Sequence, residues 1–289
     1  MIISIVTRTA IEADRSGLKD LYAQWGKAFQ HCMDDHYFLA EHEGRIIAAI
    51  RLAFENSIFV VRSLYVQKKF RGCGVARELL SQVEKVLGSA EVYCLALENH
   101  EKLLGAIGLQ KILGLTAPAF LTARRKGLQE EGVDAILMKR SVGVEVRPLM
   151  AKDLELAMDL ISEFELPEVQ KLSKNDIRSI FSRIASSGGA VVGAFQNNVM
   201  VGTCTVNICA NLSWSGRPYS IIENIIVTKT AQGQGIGKCL LLFSKHFAAS
   251  KNCHKVALMT HDTNITDTSL YTAAGFSDDK VGYQIRFGV

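Results

Sequence analysis

The sequence predicts an α/β (α+β) fold built from two similar halves, each a mixed, twisted β-sheet with helices on its faces. Three observations support this prediction. A strand, a glycine loop and an amphipathic helix follow one another twice, 161 residues apart. In each half two strands joined by a tight turn precede this unit, and a further strand, a polar turn and a helix follow it. Such an order of elements is typical of folds in which helices cover a sheet.

The length and composition fit this plan. A chain of 289 residues is long enough for two domains that each bury a core. With 48% hydrophobic residues and a net charge of only +4, the composition excludes a disordered chain and gives no support for nucleic-acid binding. No apolar run reaches the length of a membrane span, and the first residues lack a signal-peptide cleavage pattern, so we expect no membrane association.

The seven cysteines are odd in number, scattered, and never form a Cys-x-x-Cys pair. This pattern argues against a disulfide framework and against a zinc ribbon. The histidines near residues 31–42 likewise lack the spacing of a metal site. We therefore expect a cytoplasmic protein without a metal.

The elements of the first half are predicted in order. A first strand at residues 5–8 precedes a helix with an acidic start at Asp14, as helix N-termini prefer. The other expected elements are strands 37–40, 46–54 and 58–66, a helix over 79–87, a strand at 92–97, a helix ending at Gly108 and a strand at 133–139. A Glu-Gly-Arg turn at 43–45 joins the first two of these strands.

The second half repeats the same order. It starts with a strand at residues 144–147 and an acidic helix start at Asp153. The remaining elements are strands 190–195, 199–206 and 220–227, a helix with apolar residues from 240 to 247, a strand at 255–259 and a helix ending at Gly275. We place the boundary near residues 141–143, which gives an N-terminal domain of 1–141 and a C-terminal domain of 142–289.

Both glycine loops are expected to bind an anion. A loop at a helix start presents backbone N–H groups that have no partner within the helix, and glycine lets a phosphate approach closely. The spacing Gly233, Gly235, Gly237 does not fit the dinucleotide fingerprint Gly-x-Gly-x-x-Gly. A Walker loop is also excluded, because Gln232 stands where its first glycine belongs and Cys239 follows Lys238 where Ser or Thr is required.

The pattern (Gln or Arg)-x-x-Gly-x-(Gly or Ala) occurs at 71–76 and at 232–237, five residues after a strand-ending valine in each case. It resembles the coenzyme A signature of the GNAT superfamily of N-acetyltransferases, and the resemblance covers nearly the whole chain as two tandem domains. The later segment with Asn264 and Leu270-Tyr271-Thr272-Ala273-Ala274-Gly275-Phe276 is similar to a further element of that family. The resemblance implies acetyl-CoA as co-substrate and no metal.

The resemblance also assigns residues to the coenzyme. In the second half these are Ile225, Ile226, Val227, Gln232, Gly233, Gln234, Gly235, Ile236, Gly237, Lys238 and Asn264. In the first half they are Arg71, Gly72, Cys73, Gly74, Val75 and Ala76.

The expected chemistry lies in the second half. An amine acceptor must lose a proton before it attacks a thioester, and Glu223, which interrupts an apolar strand, is the candidate base. By the family's pattern Tyr271 is the candidate acid for the leaving thiolate. The alternatives are a carboxylate held by neighbouring groups and a tyrosine that only packs. The first half has Arg62 in place of Glu223 and Leu104 in place of Tyr271, so we expect a degenerate copy.

The acceptor is expected to be a small-molecule amine or a protein lysine or N-terminal amine, with direct transfer in a ternary complex. Its identity depends on the variable segments 161–189 and 207–219, where Trp214 is a candidate for the entrance. The basic run 124–126 is expected to be solvated or to contact the 3'-phosphate of the coenzyme. The alternative function is a non-catalytic acyl-CoA sensor or scaffold. A monomeric pseudo-dimer and a homodimer both remain open.

Overall fold

A computed structural model describes residues 4–29, 35–114, 117–140, 143–164, 171–260, 270–272, 274–277 and 285. The chain divides into two compact units: the first contains Met1–Leu87 and Glu91–Gly143, the second Gly88–Ala90 and Val144–Val289. The domain limits 1–141 and 142–289 stay a prediction, because this division of contacts does not test whether either half folds alone. Within the described ranges, no helix is long and apolar enough to cross a membrane.

The first unit is built on a seven-stranded sheet. Its strands are β1 (Val6–Thr9), β2 (His36–His42), β3 (Arg45–Glu55), β4 (Ile58–Val66), β5 (Val92–Leu97), β6 (Gln110–Lys111) and β7 (Ala135–Arg140). Its helices are α1 (Arg15–Gln24), α2 (Val75–Leu87), α3 (Glu101–Gly105) and α4 (Ala119–Glu130). The strand order is β1-β2-β3-β4-β5-β7-β6, and β4 and β5 form its one parallel pair among the described strands.

The second unit has five described strands. These are β8 (Glu145–Pro148), β9 (Ala190–Gln196), β10 (Val199–Cys209), β11 (Tyr219–Val227) and β12 (Val256–Leu258). The helices are α5 (Leu154–Ser162), α6 (Lys174–Ser186) and α7 (Ile236–Ser250). The order is β8-β9-β10-β11-β12, with β11 and β12 parallel and the other neighbours antiparallel. This repeats the order β1-β2-β3-β4-β5, so the predicted fold class is confirmed. Two helices, α4 and α6, were not predicted.

Each sheet is covered on both faces. In the first unit α2 packs on β1 to β4 and α1 packs on β3. Five apolar residues of α2 at three- and four-residue spacing are buried: Val75, Leu79, Leu80, Val83 and Leu87. Such spacing forms one apolar stripe on a helix. In the second unit α7 packs on β8 to β11, and α5 packs on β10 and β11.

Gly202 shows how closely α7 approaches its sheet. A Cβ at this position would lie 3.1 Å from Ile236 Cγ2 and 3.2 Å from Leu240 Cδ1. Gly202 therefore lies on the α7 face of β10. Because side chains alternate along a strand, Thr203, Thr205 and Asn207 lie on the opposite face, the face of α5.

Both units begin with the same ion-paired turn. Arg8 on β1 binds Asp14 at 2.6 Å, and Arg147 on β8 binds Asp153 at 2.7 Å. Each carboxylate also accepts a backbone N–H three residues earlier, from Ile11 and Met150 respectively. The guanidinium partners are the main reason why the pKa of both carboxyls lies below its ordinary value. The turn fixes the first helix of each unit against its first strand.

Candidate functional site

The strand β11 bulges in its second half. Its register with β10 shifts between Thr203 and Thr205, and Asn224 takes a left-handed conformation with φ 53°. Glu223 lies directly opposite Thr205, just before the bulge. Directly opposite residues of an antiparallel pair share a face, so Glu223 lies on the α5 face of the sheet.

The same strand separates from its parallel neighbour. Pairing between β11 and β12 covers Ser220 to Ile222 and, among the described residues, extends no further. From Glu223 onward the edge of β11 therefore lacks a described strand beside it. Residues 223–227 present backbone donors and acceptors at this opening, which suits an extended ligand that pairs like a strand.

The glycine loop follows this opening directly. Gln232 Nε2 donates to Val227 O at 3.1 Å and ties the loop to the end of the strand. Gly233 and Gly235 have φ values of 76° and 80°, which L side chains rarely adopt. A Cβ at Gly233 would meet no atom within 4 Å. Helix α7 begins at Ile236, directly after Gly235, and its first N–H groups have no partner within the helix. The loop therefore fits the phosphate binding expected of it.

Gly237 has a different role from the other two glycines. Its φ is not positive, and a Cβ there would lie 3.3 Å from Leu270 Cδ2. The helical turn at residues 270–272 thus packs on the first turn of α7 through Leu270. Tyr271, the next residue, is half-buried. Lys245 Nζ donates to Ala274 O at 3.3 Å and holds the same segment. Burial lowers the pKa of Lys245.

Glu223 is half-buried and, in the part of the chain that the structure describes, forms neither a hydrogen bond nor an ion pair. The alternative of a strand carboxylate held by neighbours therefore has no support among these residues.

The other residues predicted to contact the coenzyme are placed as follows. Asn264 lies outside the described residues. Ile225, Ile226 and Val227 follow the bulge, and Ile236 and Lys238 lie in the first turn of α7.

Three hydrogen bonds that no sequence pattern indicated hold Gln234, the middle residue of the glycine loop. Ser89 Oγ donates to Gln234 O at 3.3 Å, and Gln196 Nε2 donates to Gln234 Oε1 at 3.4 Å. Gln234 Nε2 in turn donates to Thr230 O at 3.2 Å. Ser89 belongs to the short segment Gly88–Ala90, which groups with the second unit although it follows α2 in the chain. No sequence pattern reveals such a distant pairing.

The first unit repeats this backbone geometry. Ser63, 161 residues before Asn224, has a φ of 55° and lies at the matching register shift of β4. Pairing of β4 with β5 covers Val60 and Val61.

The first glycine loop is also tied to its strand. Arg71 Nε donates to Val66 O at 3.0 Å, as Gln232 does to Val227. Gly72 and Gly74 have φ values of 79° and 82°, and Val75 starts α2. Cys73 in this loop is exposed, and Ala76 lies in the first turn of α2.

The side chains of the first unit differ from those of the second. Arg62 binds one oxygen of Glu55 through Nη1, and Arg124 Nη2 binds the other oxygen at 2.8 Å. Burial alone would raise the pKa of Glu55, but the hydrogen bonds from the two arginines outweigh it and lower that pKa. Leu104 is buried. No carboxylate stands in the first unit at the place of Glu223.

Two of the three residues in the basic run 124–126 make protein contacts that the sequence did not indicate. Arg124 binds Glu55, and Arg125 Nε donates to Ala135 O at 2.7 Å. Lys126, 79% exposed, lies near Glu130 on the solvent side of α4. Because α4 was not predicted, the sequence did not indicate which side of a helix each basic residue would take.

The variable segments of the second unit form a groove. A cavity of about 810 Å³ runs along α6 and is lined by Ser179, Ile180, Ser182, Arg183, Ile184, Ser186, Ser187 and Asn207. Asn207 lies two residues from Thr205, the residue opposite Glu223, and so shares the face of Glu223. Trp214 is exposed and stacks on His254, with ring centroids 5.1 Å apart. In the described ranges no three His, Cys, Asp or Glu side chains form a group that could hold a metal ion.

Both units are similar to proteins of one known family. The model of the acetyltransferase (GNAT) family matches residues 3–115 and 154–276. A glucosamine 6-phosphate N-acetyltransferase of Trypanosoma brucei brucei is 28% identical over 138 residues, which cover 47% of this chain and 90% of that protein. A streptothricin acetyltransferase of Escherichia coli is 32% identical over 88 residues, which cover 30% of this chain and 47% of that protein.

Among solved structures, a putative acetyltransferase from Agrobacterium tumefaciens str. C58 is similar with 28% sequence identity and a TM-score of 0.45. The similarity covers 49% of this chain and 99% of that one.

Proposed function

The chain belongs to the acetyltransferase (GNAT) family, and from this premise we propose that its second unit transfers an acetyl group from acetyl-CoA to a primary amine. The transfer is direct, within a ternary complex. The observation that carries the proposal is the carboxylate of Glu223, free of described partners, at the point where β11 and β12 separate and just ahead of the glycine loop.

The chain's own groups suit acetyl-CoA. Backbone N–H groups around Gly233 and Gly235 and at the start of α7 bind the pyrophosphate, since they are unpaired donors at the positive end of a helix dipole. The freed edge of β11 from Ile225 to Val227 pairs with the pantetheine arm as an added strand would. When bound, the coenzyme supplies an activated acetyl thioester.

Glu223 takes a proton from the acceptor amine, directly or through a water. An amine with a pKa of about 10.4 is mostly protonated at neutral pH, so this step is needed before attack. Since none of the described residues binds the Glu223 carboxylate, that carboxylate is available for this step. A backbone N–H beyond the bulge stabilises the negative charge that develops on the carbonyl oxygen.

Tyr271 donates a proton to the leaving thiolate. Its helical turn packs on the first turn of α7 through Leu270 and Gly237, next to the loop that binds the coenzyme. A phenol O–H placed beside a leaving thiolate can donate its proton as a general acid.

The acceptor enters along the α6 groove. The groove shares the sheet face of Glu223 and offers hydroxyl groups, the amide of Asn207 and the guanidinium of Arg183. These groups suit a polar amine that carries hydroxyl groups. Two relatives are named for acetylation of a phosphorylated amino sugar and of streptothricin, which agrees with a small-molecule acceptor rather than a protein lysine. The first unit keeps the loop but has no proton acceptor at the matching place, so it is assigned no turnover.

The test is the release of free thiol from acetyl-CoA by the full chain with a panel of amines: glucosamine 6-phosphate, streptothricin and a lysine peptide. We expect Glu223→Gln to lower kcat by about 100-fold, the usual range for a lost general base, while the Kd for CoA stays unchanged. Tyr271→Phe should lower kcat to a smaller extent.

Glu155→Gln is the matched control, because Glu155 is an exposed glutamate of the same unit on α5. It should keep wild-type turnover. Equal turnover in Glu223→Gln and wild type would remove the assigned base. Binding of CoA without thiol release by any amine would favour the sensor function instead.

A further inference from the structure

The base position of the first unit carries a positive charge. Arg62 lies 161 residues before Glu223 and at the same step of the register, directly opposite Arg51. Two arginines thus face each other where the second unit has Thr205 and Glu223. Like charges in directly opposite positions repel, so this arrangement needs nearby negative charge.

A third arginine comes from an added element. Helix α4 lies outside both segments that the family model matches, and its first two turns place Phe120 and Arg124 on one side. The guanidinium of Arg124 lies 5.6 Å from the centre of the Phe120 ring and binds the same carboxylate as Arg62. The two guanidinium groups therefore lie within reach of a single small ligand.

The charges of this cluster do not cancel. Arg51 pairs with the buried Asp35, while Arg62 and Arg124 share one carboxylate, that of Glu55. Counted over the described residues of the cluster, three arginines face two carboxylates, which leaves one positive charge in excess. Glu55 occupies one nitrogen of each of these two arginines, and their other nitrogens form no hydrogen bond with any residue that the structure describes. Both side chains are about one third exposed, so solutes can reach them.

We propose that the first unit binds a small anion, with a carboxylate or phosphate group, at the paired guanidinium groups of Arg62 and Arg124. A guanidinium offers two parallel N–H donors to such a group, and two guanidiniums that converge give geometric selectivity for it. The site lies on the face where the second unit is assigned its amine acceptor. The first unit is thus an anion-binding module, and this inference does not depend on acetyl transfer by the second unit.

The test is calorimetric titration of the full chain with inorganic phosphate and, separately, with malonate, at constant ionic strength. Saturating CoA is present throughout, so that loops that bind CoA are filled. We expect one saturable site, and an affinity at least tenfold lower in Arg124→Gln and in Arg62→Gln, because each loses charge-assisted hydrogen bonds. Tighter binding of phosphate or of malonate shows whether the site prefers a phosphate group or a carboxylate group.

Lys126→Gln is the matched control, since Lys126 is an exposed cation of the same helix that points away from Glu55. It should bind the anion as wild type does.

Glu55→Gln removes the carboxylate that competes with the anion inside the protein. It should tighten anion binding several-fold, a gain that misfolding cannot produce. Absence of a saturable site, equal affinity in Arg124→Gln and wild type, or weaker binding in Glu55→Gln would each overturn the proposal. A separate titration of the anion-free protein with CoA reports on the proposed function, so the failure of one proposal is distinguishable from the failure of the other.

Discussion

Single residues decide what the two similar backbones can do. Glu223 and Arg62 occupy matching places beside a bulge. Glu223 has no partner among the described residues, whereas the guanidinium of Arg62 is held by Glu55. A carboxylate can accept a proton from an amine, whereas a guanidinium stays charged in proteins and can only donate hydrogen bonds. In the functions proposed above, the difference between acetyl transfer and anion binding thus depends on one side chain in each unit.

The cysteines give a prediction at the same scale. Burial raises the pKa of the Cys94 thiol and of the Cys204 thiol to about 12, so neither forms a thiolate near neutral pH. Cys73 is exposed in the first glycine loop. Because the thiolate is the reactive form, iodoacetamide at pH 8 should modify Cys73 and leave Cys94 and Cys204 unmodified in the folded protein. Mass spectrometry of tryptic peptides measures this.

The Cys73→Ser variant is the control, and it should lose the fast modification while the buried pair stays protected. Labelling of Cys94 or Cys204 at the rate of Cys73 without denaturant would show that these thiols are not buried.

Among the elements, the turn that opens each unit is the feature most alike between them. Asp153 is nearly fully buried and binds Arg147 at 2.7 Å and the Met150 N–H at 2.8 Å. Asp153→Asn should lower the free energy of unfolding by about 2 kcal/mol, since hydrogen bonds to charged groups contribute about 1.5–3 kcal/mol. Chemical denaturation at pH 7 measures this. The exposed Asp159→Asn on α5 should have no effect.

The pH dependence of this turn has a definite sign. The pKa of Asp153 in the folded protein lies below its ordinary value, chiefly because of Arg147. Its contribution is therefore present above the ordinary pKa of an aspartate, about 3.9, and is lost as the pH falls through the folded pKa. The stability difference between wild type and Asp153→Asn should shrink below about pH 4. A constant difference down to pH 2 would contradict it.

The sequence predicted the elements better than their neighbours in space. Strand bounds agree within a few residues because apolar alternation and the turn at Gly44 are local signals. The bulges were not foreseen, since Ser63 and Asn224 adopt positive φ without a glycine. The pairing of Glu55 with Arg124 joins residues far apart in the chain, and no local pattern carries such information.

Across the whole molecule, one backbone plan occurs twice with different side chains beside the bulge. Both units keep the bulge, the separation of the parallel strands, the tie from loop to strand and two left-handed glycines. The second unit adds the α6 groove, and the first adds α4 with Arg124. We infer that the duplication retained coenzyme-loop geometry while the two faces diverged toward transfer and anion binding.

A pair of loop variants tests most directly whether the second unit carries out the transfer. Gly74→Ala and Gly235→Ala introduce the same side chain at matching left-handed positions, with φ values of 82° and 80°, so their backbone strain is equal. Steady-state thiol release from acetyl-CoA should give a kcat/KM at least tenfold lower for Gly235→Ala and within about twofold of wild type for Gly74→Ala. A loss with Gly74→Ala and none with Gly235→Ala would contradict this assignment.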